Sequence, residues 1–520
     1  MESEEKQMAR KFTCTFDEPV VDLAAGRLRG FQLDSTYVFR GITYAEARRW
    51  EMPTPVAPWE GVKDALNYGY VCPLMADEKP SAGEMACPHR YWPASEDCLN
   101  LNIWTQSLDR SAKKPVMVWL HGGGFAAGSS IEQAAYDGEA LSIYGDVVVV
   151  SINHRLNILG YFDVSSLGEK YWNSVNVGNA DMVAALEWIA ENIAAFGGDP
   201  GNVTLFGQSG GGMKVTSLCQ TPAADQLFHK GIVMSGTADN DMFANHMEKH
   251  LPVLMEKLRV TTADELAAVP YRALAEAFLS IVGPGGAFGF GPRANDWYLG
   301  EAMEAGFTDR IKRTPLLVGS VLGEFLAFRP GVRNRQTATA EEIREAVGAF
   351  YGMENADAII EAFQQAYPGK NPLDATVIDT MFRPAVKRFV TEKSRFTEAP
   401  TYSYMFTAEM PLDGGKALWH CADIPFVFHN IDKTEYGHFP GADGLQEQMT
   451  RSFVQFARTG DPNNALVPAW PPVQPEDEAC MILDLQSHVG HNHDDELLAL
   501  CREHAPKLNL FASEDVDVQH

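Results

Sequence analysis

The chain has 520 residues, of which 45% are hydrophobic and 21% are charged, a composition typical of a folded globular protein. Its 69 acidic and 42 basic residues leave a formal net charge of −27. This argues against nucleic-acid partners and anionic membrane surfaces, which require clustered Lys and Arg. No run of about 20 apolar residues is present, so the sequence predicts no membrane-spanning helix.

The N-terminus and the cysteines bear on where the protein is found. Residues 1–6 read MESEEK, which lacks the apolar segment of a secretory signal, so we expect a cytoplasmic protein. Eight cysteines in this length are too few for a disulfide scaffold, and none forms a CxxC pair of the kind that structural zinc sites use.

Short apolar runs are the first feature along the chain, and they alternate with loops and a helical pattern. The runs that we predict to be strands lie at 116–120, 147–152, 203–206, 232–234 and 315–319. Residues 181–196 place their apolar side chains at helical spacing. Strands that alternate with helices indicate the α/β class, with a mostly parallel central sheet and helices on both of its faces.

Two longer segments, 240–310 and 330–400, show helical periodicity without strand-like runs, so we expect helical cap insertions over the sheet. Within the first of them, residues 283–292 read GPGGAFGFGP. This loop is either a flexible connector or a wall of a substrate pocket, because loops over such sheets often carry binding residues. Phe288 and Phe290 are the candidate substrate-binding residues of that loop.

The sequence HGGGF at 121–125 directly follows the first predicted strand. Glycines leave their backbone N–H groups unshielded, so several of these groups can point at one oxygen atom. Acyl transfer builds negative charge on the substrate carbonyl oxygen, and N–H donors aimed in advance stabilise it. We therefore predict that Gly123 and Gly124 contribute to an oxyanion hole, although glycine runs also form plain loops.

The sequence GQSGG at 207–211 follows the third predicted strand, and residues 213–219 can continue as a helix. A GxSxG turn between a strand and a helix is the nucleophile elbow of α/β-hydrolases, in which the turn exposes the serine hydroxyl. The sequence therefore predicts Ser209 as the nucleophile and the N–H of Gly210 as a further oxyanion donor. The alternative is a glycine-rich turn in which the serine has no catalytic role.

These motifs and several others resemble the type-B carboxylesterase family, which includes cholinesterases and bacterial para-nitrobenzyl esterases. The resemblance covers nearly the whole chain, and its further motifs are FRGITYA at 39–45, PWEGV at 58–62, SEDCLNLNIW at 95–104, NHRLNILGYF at 153–162, GNADMVAALEWIAENIAAFGGDPGNVTLF at 178–206 and FARTGDPNN at 456–464. It implies the α/β-hydrolase fold, and we expect residues 1–520 to form a single domain of this type.

The resemblance also implies a Ser-Glu-His triad in that chain order. The family acid lies five residues after the glycine that ends a strand, which points to Glu324, five residues beyond Gly319. Phe325 follows it where the family commonly has glycine. The family histidine precedes a pattern that His420 fits, with Asp423 where glutamate is usual.

The implied activity is hydrolysis of small to medium, neutral carboxylic esters through an acyl-enzyme. This chemistry needs neither a metal nor an organic cofactor. Gln208 precedes the nucleophile where many relatives carry glutamate, and its uncharged side chain argues against a cholinesterase. Cleavage of amides or thioesters stays an alternative, as does a non-catalytic binding or adhesion protein of the same fold. The sequence indicates no oligomeric state.

Several cysteines and histidines allow more than one interpretation. By the resemblance, Cys72 and Cys98 would form a loop disulfide, but a cytoplasmic protein would keep them reduced. Cys87 lies between them and allows another pairing. His488, His491 and His493 could be read as a metal site, but a polar loop is the interpretation that we favour. Cys421, beside His420, is expected to be a buried small apolar residue.

Overall fold

The computed structural model describes residues 10–76, 89–237, 245–328, 334–410 and 414–506. Within these residues the strands are β1 (Phe12–Thr13), β2 (Val20–Asp22), β3 (Arg27–Arg29), β4 (Phe31–Leu33), β5 (Thr36–Thr43), β6 (Ala45–Glu46), β7 (Thr54–Pro55), β8 (Val62–Asp64), β9 (Asn100–Thr105), β10 (Lys114–Leu120), β11 (Val148–Ile152), β12 (Gly198–Gln208), β13 (Lys230–Met234), β14 (Leu316–Val321), β15 (Thr401–Phe406), β16 (Glu409–Met410), β17 (Lys416–Ala417), β18 (Ala479–Leu483) and β19 (His488–His491).

The α-helices of the same residues are α1 (Glu139–Gly145), α2 (Asn157–Gly160), α3 (Val177–Asn192), α4 (Gly210–Cys219), α5 (Leu251–Leu258), α6 (Ala263–Ala267), α7 (Tyr271–Val282), α8 (Ala302–Ala305), α9 (Asp309–Arg313), α10 (Ala340–Tyr351), α11 (Ala356–Ala366), α12 (Phe382–Ser394), α13 (Ile424–Phe428), α14 (Ala442–Thr459) and α15 (Asp495–His504). In this part of the chain, no helix is both long enough and apolar enough to cross a lipid bilayer.

The largest sheet among the described residues has twelve strands in the order β1-β4-β5-β9-β11-β10-β12-β13-β14-β15-β18-β19. Every neighbouring pair from β11 to β18 is parallel, and the strands outside this block are antiparallel to their neighbours. The predicted mostly parallel central sheet is confirmed. The carboxyl ends of these parallel strands share one edge of the sheet, where ligand sites of α/β proteins form.

Helices cover both faces of the sheet because the central strands are apolar on both sides. In β10, Val116 and Val118 belong to one buried cluster, while Met117 and Trp119 belong to another. The period of two along a strand sends successive side chains to opposite faces. Helices α3, α4 and α12 add apolar side chains to the first cluster, and α1, α13 and α14 add theirs to the second.

The structure differs from the sequence prediction mainly at the ends of elements. Strand β12 begins at Gly198 rather than 203, and α4 begins at Gly210, immediately after the predicted nucleophile. Strands β15 and β18 were not predicted. The predicted helical insertions are confirmed in the described residues by α5 to α9 and α10 to α12, and the glycine-rich loop holds a 3-10 helix over Pro284–Gly289.

Candidate active site

The predicted triad residues come together at the carboxyl edge of the parallel sheet. Ser209 follows β12 and Glu324 follows β14. His420 lies in the connection that leaves β15, just after β17. Because these strands are parallel and close in the sheet, residues far apart in the sequence lie side by side at its edge.

The turn at Ser209 has the backbone shape of a nucleophile elbow. Ser209 has φ 57° and ψ −127°, an uncommon conformation for a residue with a side chain. Its N–H donates to the Met234 carbonyl at 2.8 Å, which anchors the turn to β13. A Cβ atom on Gly211 would lie 2.0 Å from the Leu120 carbonyl oxygen, so only glycine fits beside β10 at that position.

The glycine loop after β10 lies directly against the residue that follows Ser209. Gly123 and Gly124 have φ angles of 83° and 61°. A Cβ atom on Gly210 would lie 2.3 Å from the Gly124 carbonyl oxygen and 2.4 Å from the Gly124 nitrogen. The three predicted oxyanion-hole residues are therefore neighbours in space.

Glu324 is fully buried and its carboxylate is held by three groups. One oxygen, Oε2, makes a short hydrogen bond with Nδ1 of His420. The other, Oε1, accepts from the Ser235 hydroxyl at 2.6 Å and from the Val321 N–H at 3.0 Å. These donors fix the carboxylate, which in turn orients the imidazole ring.

The ring of His420 is only 4% exposed and stacks against two aromatic rings. The Phe325 and Phe382 centroids lie 4.2 and 5.2 Å from the imidazole centroid. Nδ1 makes the hydrogen bond with Glu324, and the Gln208 amide nitrogen lies 3.2 Å from Nε2, the other ring nitrogen. This assembly restricts the ring to one orientation.

Two further carboxyl groups, Asp379 and Asp423, are buried close to Glu324. Burial and the neighbouring Glu324 carboxylate raise the pKa of each to about 7. Asp423 Oδ2 accepts from the Tyr404 hydroxyl at 2.9 Å, and Oδ1 has no hydrogen-bond partner among the described residues. The contact with the His420 ring is therefore made by Glu324 and not by Asp423.

A cavity of about 280 Å³ contains Ser209 and His420 in its wall. This volume is just below the usual range of ligand sites, roughly 300–1,000 Å³. Most of its lining is apolar or aromatic. The wall also includes the side chains of His89, Glu132, Gln133, Tyr136, Met213, Phe288, Phe328, Met381 and Cys421. Glu132 is paired with His89, whose Nε2 lies 2.8 Å from Oε1.

Of the three predicted substrate-binding residues, Gln208 and Phe288 line this cavity and Phe290 does not. Phe290 is 1% exposed, and its ring lies 5.3 Å from the Phe278 ring in the core. The prediction for Phe290 is corrected: one residue, Gly289, separates it from Phe288, and the end of the 3-10 helix at Gly289 turns the two side chains in different directions.

Several residues of this site were missed from the sequence. Ser235 directly follows a predicted strand, as Ser209 does, and this position could have identified it as a site residue. Met381 and Phe382 stand in no recognisable motif. Cys421 was expected to be buried, but it is half-buried in the cavity wall, where its thiol donates to Gln208 Oε1 at 3.2 Å.

The other cysteines and histidines that allowed more than one interpretation lie outside this cavity. Cys72 and Cys98 are buried with unbridged, neighbouring thiols. The hydrogen bond with Cys72, together with burial, holds the pKa of Cys98 well above its usual value. Cys87 lies outside the described residues. His488 and His491 are the ends of β19 rather than loop residues. Among the residues that the structure describes, no cluster of His, Cys, Asp or Glu could hold a metal ion.

Comparisons with known proteins extend these observations. The model of the carboxylesterase family matches residues 17–500. Phenmedipham hydrolase of Pseudarthrobacter oxydans is 32% identical over 494 residues, which cover 89% of this chain and 95% of that protein. Para-nitrobenzyl esterase of Bacillus subtilis (strain 168) is 31% identical over 500 residues, which cover 92% of this chain and 97% of the relative.

The solved structures that superpose on this chain include esterases as well. An esterase from anaerobic Clostridium hathewayi that can hydrolyze aliphatic aromatic polyesters superposes with a TM-score of 0.91 at 47% identity, covering 95% of this chain and 100% of that one. A para-nitrobenzyl esterase structure superposes with a TM-score of 0.74 at 28% identity, covering 94% of this chain and 99% of the other.

Proposed function

The chain belongs to the carboxylesterase family, and from that premise we propose that Ser209, His420 and Glu324 form the catalytic triad of its ester-hydrolase activity. It is an enzyme with the α/β-hydrolase fold, as the resemblance implied. The observation that carries the proposal is the buried Glu324–His420 hydrogen bond at the edge of the sheet where Ser209 follows β12.

The first half of the proposed reaction transfers the acyl group to Ser209. His420 accepts the hydroxyl proton as the oxygen attacks the ester carbonyl, and Glu324 stabilises the imidazolium that results. The N–H groups of Gly123, Gly124 and Gly210 donate to the tetrahedral oxyanion. His420 then gives its proton to the leaving alcohol.

In the second half, a water molecule replaces the alcohol. His420 accepts a proton from this water, which attacks the acyl-enzyme carbonyl, and the same three N–H groups stabilise the second oxyanion. His420 returns the proton to Ser209 as the carboxylic acid leaves. The chemistry proceeds with protein groups alone, so we propose no cofactor. The same steps act on thioesters, and on amides where the amine can leave.

The cavity favours small to medium neutral esters. Its wall carries the aromatic side chains of Phe288, Phe325, Phe328 and Phe382, and its acidic residue, Glu132, is paired with His89. Apolar walls stabilise uncharged acyl and alcohol groups by removing their surface from water. A para-nitrophenyl ester panel graded by acyl length tests this: we expect a kcat/KM maximum at short to medium chains, and a rise through long chains would contradict the proposed size limit.

Gln208 is a proposed determinant of the preference for neutral esters. Its side chain is fully buried in the cavity wall, within 3.2 Å of His420 Nε2. A carboxylate there would attract a quaternary ammonium: two unit charges about 5 Å apart interact by roughly 3 kcal/mol at an effective dielectric constant near 20. Desolvation and screening reduce this gain to about 1 kcal/mol, which is a factor of about five in kcat/KM.

We therefore expect Gln208→Glu to raise the ratio of kcat/KM for butyrylthiocholine to that for a neutral thioester of similar size by about fivefold. The ratio is the measured quantity because the new charge lies beside His420 and alters the turnover of both substrates. The net charge of −27 enriches cations around the whole enzyme, and the single charge that the substitution adds changes this long-range effect little. A wild type that already prefers the choline ester tenfold would contradict the role of position 208.

A further inference from the structure

Lys214 is a buried lysine on the helix that begins at the nucleophile elbow. It lies five residues after Ser209 on α4, with no exposed surface. Its Nζ donates to the His121 carbonyl oxygen at 2.9 Å, and among the described residues it forms no ion pair. Burial lowers its pKa to about 7, with Glu132 and Cys72 acting in the opposite direction. A buried lysine without an ion pair lowers the stability of the fold, so we looked for a role that would offset this cost.

The bond to His121 joins the two halves of the proposed oxyanion hole. His121 immediately precedes the glycines at 122–124, while Lys214 belongs to the helix that provides the Gly210 N–H. Glycines have no side chains through which neighbours could hold them, so their position depends on backbone contacts at the flanks of the loop. On the far side, the N–H groups of Ala126 and Ala127 donate to the Gly123 carbonyl. On the near side, Lys214 supplies a side-chain contact.

The groups around the Lys214 ammonium leave its charge without a direct counter-ion. His121 and His154 are fully buried and stacked with ring centroids 5.2 Å apart, and burial and the Lys214 charge hold both of their pKa values well below the usual range. Both rings are therefore neutral at pH 7. The Phe125 ring lies 6.0 Å from Nζ, near the limit of a cation–π contact.

We propose that Lys214 is a positioning residue for the oxyanion hole, which holds the His121 carbonyl, and with it the glycine loop at 122–124, against the nucleophile elbow. This inference rests on the proposed function, because it assumes that the loop stabilises the oxyanion. Donors that are placed in advance stabilise the transition state without reorganisation, so a loosened loop costs kcat rather than substrate binding.

The test is Lys214→Met, which keeps most of the length of the unbranched side chain and removes its charge and donors. Loss of a direct oxyanion donor costs roughly a hundredfold or more in kcat, so for this indirect role we expect about a tenfold to thirtyfold decrease, with KM for para-nitrophenyl butyrate changed by less than about twofold. The inhibition constant of an alkyl trifluoromethyl ketone, which forms a hemiketal oxyanion on the serine, should rise by the same factor.

Stability separates this role from a merely structural one. Replacing a buried, unpaired lysine with methionine removes a desolvation cost, so the melting temperature of the variant should equal or exceed that of the wild type. The control is Lys393→Met on α12: Lys393 is also fully buried and donates to two backbone carbonyls, those of Lys312 and Ala399, both at 3.2 Å. The control should keep wild-type kcat and inhibition.

All rates are divided by the active-site concentration from fluorophosphonate titration. Wild-type kcat and inhibition in Lys214→Met would overturn the inference. A lower kcat together with a lower melting temperature and an unchanged inhibition constant would overturn it as well. If Lys214→Met does not fold, Lys214→Leu, which also removes the charge and the donors, is measured by the same criteria. Failure of the proposed function looks different, because the wild type itself would then resist the fluorophosphonate and the ketone.

Discussion

Ser209→Ala should reduce kcat toward para-nitrophenyl acetate by about 10⁴-fold or more, with little change in KM. The Oγ atom of Ser209 would form the bond to the acyl group, and no other group can take over that covalent step. The oxyanion donors and the cavity remain, so a residual rate above that of water is expected.

The variant is a mild structural change, which makes the result easy to interpret. Ser209 adopts its strained turn through backbone contacts, including the bond from its N–H to the Met234 carbonyl, and alanine keeps these. A fluorophosphonate probe should label the wild type and leave Ser209→Ala unlabelled. The matched control is Ser235→Ala, which removes a nearby hydroxyl and should still be labelled. Equal labelling of wild type and Ser209→Ala would refute the assignment.

Glu324→Gln should give the second large effect, a decrease in kcat of about 10³- to 10⁴-fold. The amide nitrogen can donate a hydrogen bond toward Nδ1 of His420, which favours the tautomer with its proton on Nε2, and that nitrogen then cannot accept the Ser209 proton. The amide also lacks the charge that stabilises the imidazolium. The amide oxygen can still accept from Ser235 and Val321, so we expect the fold to survive.

Asp423→Asn is the comparison that identifies the acid. Asp423 is buried close to Glu324, but it accepts from Tyr404 and its pKa is raised to about 7, so at neutral pH it carries only part of a charge. We expect less than about a tenfold decrease in kcat for this variant, since it removes no direct contact with the imidazole. A larger loss in Asp423→Asn than in Glu324→Gln would show that the wrong acid had been chosen. Melting temperatures of both variants control for unfolding.

The sequence by itself determined the local parts of the site. The elbow at 207–211 and the glycine loop at 121–125 are recognisable because each depends on glycine at fixed spacing after a strand, which is a local backbone requirement. The parallel sheet followed from apolar runs that are buried on both faces. Glu324 and His420 lie 96 residues apart, so only a family resemblance, and no local pattern, joined them before the fold was known.

Only the tertiary structure decided which side chains surround the proposed triad. Phe288 and Phe290 are equivalent by sequence, yet one lines the cavity and the other packs into the core, because Phe288 lies in the 3-10 helix and Phe290 follows the end of that helix. The roles proposed for Ser235 and Lys214 each depend on a single contact, with Glu324 Oε1 and with the His121 carbonyl. Those contacts join residues 89 and 93 positions apart. Such pairs depend on how the strands and helices pack together, and no local pattern in the sequence encodes that packing.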